Sequence, residues 1–115
     1  MNLAPVLDVN NNPDNPVIGT RSYGADPELV ARLGSAYIRG LQGGGIIAVG
    51  KHFPGHGNTG VDSHLELPIL PQSIDDLEKI ELVPFRRAIA TSRSVASSNV
   101  TGSNPLPVEF LLERG

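Results

Sequence analysis

The residues of this chain best suited to chemistry lie together in one stretch, from Lys51 to His64. Its sequence is Lys-His-Phe-Pro-Gly-His-Gly-Asn-Thr-Gly-Val-Asp-Ser-His, and it holds all 3 histidines of the chain. Histidine exchanges protons near neutral pH and also binds ligands, so such a cluster indicates proton transfer or ligand binding. The glycines and prolines exclude a helix and predict a loop with a defined path.

Asp62 and His64 are the first candidate pair within this stretch. Side chains two residues apart in an extended segment point the same way, so the Asp62 carboxylate can accept a hydrogen bond from the His64 ring. Such a partner would orient the imidazole and tune it as a general acid or base. The alternative is an Asx-turn beside an exposed histidine, and the spacing alone leaves both interpretations open.

Lys51, His52 and Arg21 are candidates for binding a polar ligand. Lys51 and His52 follow the second predicted strand, where burial of charge without partners would be costly. Arg21 lies in the first long loop. For all three residues the alternative is simple placement in solvent.

Two further interpretations of the histidine stretch concern metals and nucleotides. Four side chains are potential metal ligands: His52, His56, Asp62 and His64. Pro54 and the glycines exclude a helical His-x-x-x-His pair, and the metal site is kept only as an alternative. Gly55 to Gly60 matches Gly-x-Gly-x-x-Gly, the dinucleotide-binding fingerprint. We reject that assignment because no strand directly precedes the segment and no helix follows it.

The first half of the chain predicts a strand, a long loop and a helix. Leu3 to Val9 is an apolar run typical of a buried strand, and residues 10–25 are rich in Asn, Pro, Asp and Gly. Asp26 is the predicted N-cap of a helix with Pro27 at its first position. The three glycines Gly43-Gly44-Gly45 end the helix, whose apolar face is formed by Leu29, Val30, Leu33, Tyr37, Ile38 and Leu41.

The second half repeats this alternation. Ile46 to Val49 predicts a second strand that leads into the histidine stretch. A helix capped by Ser73 follows, broken before Pro84 and continuing to Ile89. Arg93 to Ser97 is the third predicted strand. The alternation predicts an α/β fold with a parallel sheet, in which both long loops lie at the carboxyl ends of strands.

Composition limits the classes of protein to be considered. The chain has 115 residues, a net charge of -3, no cysteine and 39% hydrophobic residues. This size fits one small domain, and the absence of a basic run argues against nucleic acid as a partner. No run of apolar residues is long enough for an export signal or a membrane segment, so we expect a cytoplasmic protein, with an exported form as the alternative.

Several segments together resemble glycoside hydrolase family 3, in its β-N-acetylglucosaminidase (β-hexosaminidase) branch. The resemblance covers residues 2–90, and residues 94–115 depart from it. It rests on five segments in order: Leu-Ala-Pro-Val-Leu-Asp-Val from Leu3, Asn-Pro-Val-Ile-Gly-Thr-Arg-Ser-Tyr-Gly from Asn15, Asp-Pro-Glu-Leu-Val from Asp26, Ala-Val-Gly-Lys-His-Phe-Pro-Gly-His-Gly from Ala48, and Glu-Leu-Val-Pro-Phe-Arg from Glu81.

The resemblance implies a fold and a chemistry. The fold would be part of a (β/α)8 TIM-like barrel, with about three βα units in this chain. The reaction would be the removal of terminal non-reducing β-linked N-acetylglucosamine, with retention of configuration, from cell-wall muropeptides during peptidoglycan recycling. His64 would be the general acid/base oriented by Asp62, while Lys51, His52 and Arg21 would bind the sugar. No cofactor and no metal are implied.

The same resemblance predicts that the chain is an internal fragment of a barrel domain. Retaining hydrolysis needs a nucleophile, which in this family is an aspartate in a Ser-Asp motif. The sequence has no Asp after Asp76, so we expect the isolated chain to be inactive. The alternatives are another family 3 β-glycosidase, a non-catalytic sugar-binding remnant and a metal-dependent hydrolase.

Overall fold

A computed structural model describes residues 1–58, 73–98 and 108–112 of the chain, with side chains for 1–58 and 73–92. The elements in chain order are helix α1 (Pro27–Gly43), strand β1 (Ala48–Phe53), helices α2 (Ile74–Lys79) and α3 (Leu82–Ser98), and strand β2 (Val108–Leu112). A single 3₁₀ turn, Gly19–Arg21, interrupts the first long loop. The predicted α/β class is confirmed in this coarse form, because helices separate segments that pair in parallel.

Strand β1 has neighbours on both edges. On one edge β2 pairs with it in parallel, from Ala48 opposite Val108 to Phe53 opposite Leu112. On the other edge runs the N-terminal segment, where the Lys51 N–H donates to Pro5 and the Leu7 N–H donates to the Lys51 carbonyl. This segment is the predicted first strand, but it forms only isolated parallel bridges. Pro5 has no N–H to donate, which limits regular pairing there.

Strand β1 begins and ends later than predicted. The expected strand was Ile46 to Val49, whereas β1 spans Ala48–Phe53. Lys51 and His52 therefore lie inside the strand and not beyond its end. The pairing decides this, because partners on the two edges continue past Val49.

Helix α1 begins and ends as predicted, but its buried face differs. The buried residues are Val30, Ala31, Gly34, Ser35 and Ile38, whereas Leu33 and Tyr37 of the predicted face are exposed. Gly34 explains the difference, since a Cβ at this position would overlap the side chain of Leu7. The helix therefore approaches the N-terminal segment on its small-residue side, which turns Leu33 and Tyr37 outward.

The N-terminus of α1 supports a prediction about stability. The Asp26 side chain accepts a hydrogen bond from the Glu28 N–H at 2.9 Å, with Pro27 at the first helical position. Asp26→Ala removes this cap, so we expect the free energy of unfolding to fall by about 1 kcal/mol. Urea denaturation followed by circular dichroism measures it. Asp26→Asn is the control, because asparagine caps equally well, and a similar loss in both variants would contradict the capping role.

Helices α2 and α3 confirm one prediction and correct another. Ser73 caps α2 by accepting from the Asp76 N–H, and the helical segment breaks at Ile80 and Glu81, before Pro84, as predicted. The third strand predicted at 93–97 is wrong, because α3 continues to Ser98. No Gly or Pro lies between Phe85 and Ser98, and extending a formed helix is easier than ending it.

The core joins the strand to both long helices. Its buried cluster comprises Leu7, Ile38, Ala48, Phe85 and Ala88. The Phe53 ring at the end of β1 meets the Phe85 ring of α3 nearly at right angles (89°), with centroids 5.3 Å apart. This contact packs the end of β1 against α3. In the parts of the chain that the structure describes, no helix has the length and apolar character needed to cross a membrane.

Candidate functional site

Asp8 is the centre of the described part of the site. Its side chain is fully buried, and both carboxylate oxygens accept hydrogen bonds from the histidine stretch. Oδ2 accepts from the His52 N–H at 3.2 Å and lies 2.8 Å from Nδ1 of the His52 ring. Oδ1 accepts from the His56 N–H at 2.6 Å. Up to Leu7 the N-terminal segment pairs with β1 through backbone hydrogen bonds. At Asp8 the side chain, and not the backbone, accepts the hydrogen bond from β1.

Two polar side chains of the first long loop fix this arrangement. Asn15 donates from Nδ2 to the His56 carbonyl at 2.7 Å, while its Oδ1 accepts from the N–H groups of Val17 and Ile18. Ser22 donates from Oγ to the Asp8 carbonyl at 2.6 Å. The first loop therefore holds both the aspartate and the segment that the aspartate binds.

The two described histidines have different environments. The His52 side chain keeps 13% of its surface exposed, whereas His56 is buried. Their ring centroids lie 6.3 Å apart. Of the two imidazoles, the one better placed to meet a ligand is therefore that of His52. Lys51, its neighbour in β1, is likewise only partly buried.

Arg21 lies apart from this pair. Its guanidinium donates from Nε and Nη2 to the Val17 carbonyl, at 3.1 and 2.6 Å, and the residue is exposed. Among the described residues, no hydrogen bond or ion pair joins Arg21 to Lys51 or His52. Its role in ligand binding stays a prediction.

Two glycines allow the histidine stretch to approach its supports. A Cβ on Gly57 would overlap the carbonyl group of Val9. Gly55 has φ +140°, a conformation that other residues rarely adopt, and a Cβ there would lie 2.8 Å from Cγ of Glu81. The stretch therefore packs with its backbone directly against both the N-terminal segment and the residue that precedes α3.

Glu81 is a buried carboxyl beneath Gly55. It is 2% exposed, and neither of its carboxyl oxygens has a hydrogen-bond partner among the described residues. Burial raises the pKa of Glu81 above its ordinary value of 4.5, and the negative charge of Asp76 adds to the increase, while its own backbone N–H opposes it. Folding therefore shifts the protonation equilibrium of Glu81 toward its uncharged form.

This environment predicts that Glu81 makes stability depend on pH. Because its pKa is higher in the folded than in the unfolded chain, the folded state binds more protons at pH values above 4.5. The free energy of unfolding should then fall as the pH rises from 4.5 through the raised pKa. Glu81→Gln, which stays uncharged, should flatten this dependence and be more stable than the wild type at neutral pH.

Urea denaturation at a series of pH values tests this expectation. Glu78→Gln is the matched control, since Glu78 is a half-exposed residue of α2 that pairs with Arg86 at 3.0 Å. The control should keep the wild-type decrease between acid and neutral pH, because Glu81 is intact. An unchanged pH dependence in Glu81→Gln would show that Glu81 is not its source.

The predicted catalytic pair, Asp62 and His64, lies outside the described residues. The metal alternative included both of these side chains, and the residues that the structure does describe contain no group of three potential ligands. Sequence reasoning missed Asp8, Asn15, Ser22 and Glu81. One signal was present for Asp8, since an aspartate between Leu7 and Val9 in a buried run requires a partner.

Comparison with known proteins assigns the chain to a family. Residues 1–108 match the family described as "Glycosyl hydrolase family 3 N terminal domain". The chain is 44% identical over 92 residues to "Beta-hexosaminidase A" of Pseudoalteromonas piscicida, which covers 80% of this chain and 15% of that protein.

Two solved structures are also similar. A glycoside hydrolase family 3 β-N-acetylglucosaminidase from Paenibacillus sp. str. FPU-7 superposes with a TM-score of 0.77 at 53% identity, over 96% of this chain and 20% of the other. NagZ from Neisseria gonorrhoeae, in complex with N-trifluoroacetyl-D-glucosamine, superposes with a TM-score of 0.74 at 40% identity, over 96% and 28%.

The chain thus spans between 15% and 28% of the length of these three proteins. Several of its matches are named β-hexosaminidase or β-N-acetylglucosaminidase. The chain belongs to glycoside hydrolase family 3 and represents part of its N-terminal domain.

Proposed function

We propose that this chain forms part of the sugar site of a β-N-acetylglucosaminidase, a hydrolase that removes terminal non-reducing β-linked N-acetylglucosamine. The observation that carries the proposal is the junction of Asp8 with the histidine stretch, where a buried carboxylate holds a partly exposed imidazole at the end of a parallel strand. The carboxyl ends of parallel strands are where α/β enzymes bind substrates.

The residues have distinct proposed roles. Lys51 and His52 bind hydroxyl groups of the sugar, for which a lysine supplies donors and an imidazole a donor or an acceptor. Arg21 is a further sugar contact from the first long loop. His64 is the general acid/base, and Asp62 orients its ring. The complex of N-trifluoroacetyl-D-glucosamine with a 40% identical relative supports an N-acetylated sugar as ligand.

The mechanism follows from these roles. Protonation of the leaving oxygen by His64 accompanies attack by a carboxylate on the other face of the sugar, and the covalent intermediate is then hydrolysed with retention. The family's nucleophile is an aspartate in a Ser-Asp motif, and this sequence contains no Ser-Asp, so the proposed nucleophile lies outside this chain. We propose that the chain is a partial (β/α)8 barrel, with about three βα units, and is inactive alone.

The cellular role is also a proposal. N-acetylglucosamine-containing muropeptides, handled during peptidoglycan recycling in the cytoplasm, are the substrates that fit the family branch. The alternatives are a different family 3 β-glycosidase and a remnant that binds sugar without catalysis. The choice of substrate in the experiments below separates these alternatives.

A chimeric enzyme tests the function directly. Residues 1–108 replace the corresponding segment of the 53% identical Paenibacillus enzyme, and hydrolysis of an aryl N-acetyl-β-glucosaminide is measured. We expect turnover, with a loss of at least about 100-fold in His64→Ala, because general acid/base catalysis contributes factors of that order. Asp14→Asn, an exposed change outside the site, should leave the rate unchanged.

Other outcomes would contradict the proposal. A folded chimera that hydrolyses aryl β-glucosides but not N-acetyl-β-glucosaminides would favour the other glycosidase branch. A folded, inactive chimera that still binds N-acetylglucosamine by calorimetry would favour the non-catalytic remnant. Turnover by the purified chain alone, abolished in His64→Ala, would overturn the claim that the nucleophile lies elsewhere.

A further inference from the structure

Asp8 determines which nitrogen of His52 carries the proton. Three nitrogen atoms converge on its carboxyl group: the backbone N–H groups of His52 and His56 donate to it, and the ring nitrogen Nδ1 of His52 lies within hydrogen-bond distance. A carboxylate accepts hydrogen bonds and cannot donate them. Nδ1 must therefore carry the hydrogen in its 2.8 Å contact with Oδ2.

The other ring nitrogen of His52 has a different role. In a neutral imidazole one nitrogen donates and the other accepts, so an N–H at Nδ1 leaves Nε2 as an acceptor. Among the described residues no hydrogen bond occupies Nε2 of His52, and 13% of the side chain is exposed. A ligand that meets this ring would therefore find an acceptor.

We propose that Asp8 is a positioning residue that holds His52 in the Nδ1–H form, so that Nε2 accepts a hydrogen bond from a ligand hydroxyl. The inference rests on the proposed function for the identity of the ligand, an N-acetylglucosaminide. It adds a rule for the direction of one hydrogen bond: the ligand hydroxyl at His52 must donate its hydrogen to Nε2. The Lys51 ammonium group beside it only donates hydrogen bonds. The two neighbouring residues of β1 therefore recognise hydroxyl groups in opposite ways, His52 by accepting the hydrogen and Lys51 by donating to the oxygen.

The tautomer is measured on the wild-type chain without any sugar. Long-range ¹H–¹⁵N correlation of the imidazole rings, at a pH where they are neutral, distinguishes a protonated nitrogen from one with a free lone pair. His52→Gln assigns the signals. We expect Nδ1 of His52 to be the protonated nitrogen. A hydrogen on Nε2 would overturn the proposal.

Asp8→Asn tests whether Asp8 is the cause of the Nδ1–H form of His52. The amide presents an N–H₂ group on one side, which cannot accept all three donors, so the Nδ1–H form of His52 should lose its predominance. A purely structural effect would not change the tautomer of a folded variant. Asp14→Asn removes the same charge at an exposed site and should leave the His52 signals unchanged. If Asp8→Asn does not fold, the wild-type measurement still decides.

The ligand rule is tested separately. Calorimetry compares a methyl N-acetyl-β-glucosaminide with its monodeoxyfluoro analogues, whose fluorine cannot donate a hydrogen bond. At the position that contacts His52 we expect affinity to fall about tenfold, the value of one hydrogen bond. His52→Gln should remove this difference, and equal affinity for all analogues in the wild type would overturn the rule.

The two claims fail in different ways. A confirmed Nδ1–H form without any sugar binding would leave the positioning role of Asp8 intact and contradict the proposed function. Sugar binding with the hydrogen on Nε2 would contradict the role of Asp8 and leave the proposed function intact.

Discussion

Replacement of Asp8 by alanine is expected to lower the free energy of unfolding by about 3–5 kcal/mol, because several buried donors lose their acceptor at about 1–3 kcal/mol each. The carboxylate is fully buried, accepts two backbone hydrogen bonds and lies 2.8 Å from Nδ1 of the His52 ring. Alanine leaves two backbone N–H groups and one ring nitrogen without their acceptor. Because the donors belong to His52 and His56, the loss should loosen the histidine stretch before the helices unfold.

Urea denaturation of Asp8→Ala, followed by circular dichroism, measures the change. Asp14→Ala is the control, because it removes the same carboxylate from an exposed position of the first loop, and it should alter stability by less than about 0.5 kcal/mol. Hydrogen exchange at the His52 and His56 amides should be faster in Asp8→Ala. A loss in Asp8→Ala no larger than in Asp14→Ala would contradict the central role of this carboxylate.

Gly57→Ala is the second substitution for which we expect a large effect. Its new methyl group would overlap the carbonyl of Val9 and lie 3.0 Å from the backbone nitrogen of Asn10. Both neighbours are backbone atoms, which cannot rotate out of the way as a side chain would. We expect a loss of about 3 kcal/mol, at the upper end of the range for overpacking, together with displacement of His56 from Asp8.

Gly40→Ala is the matched control for this substitution. Gly40 lies in α1, where an added Cβ meets nothing within 4 Å. The same chemical change should therefore stabilise the chain by about 0.5–1 kcal/mol, because alanine favours the helix. Opposite signs for the two variants in urea denaturation would support the close backbone contact at Gly57. A stable Gly57→Ala would show that the stretch is not held against Val9.

The sequence by itself was informative where the signal is local. The ends of α1, the break before Pro84 and the density of chemical groups in the histidine stretch all depend on neighbouring residues. Caps, prolines and glycines act over one helical turn, so their effects can be recognised without knowledge of the fold. Family membership was likewise predicted from contiguous segments, and the match over residues 1–108 confirms it.

Patterns failed where a neighbour distant in sequence decides the outcome. The apolar face predicted for α1 is displaced because Leu7 packs against Gly34. The strand predicted at 93–97 is helical because Phe85 and Ala88 anchor α3 in the core, and the formed helix then continues through a segment without Gly or Pro. Local propensity is weak compared with such packing, so it misassigns segments whose structure depends on tertiary contacts.

The sequence therefore indicated where groups suited to chemistry are concentrated, in the stretch from Lys51 to His64. Only the tertiary structure decided how His52 is held, because its partner Asp8 lies 44 residues away along the chain. A buried carboxylate must find its donors wherever the fold brings them, and no local pattern encodes that choice. The same reason applies to Glu81, whose raised pKa results from its burial beneath Gly55 and becomes visible only in the folded chain.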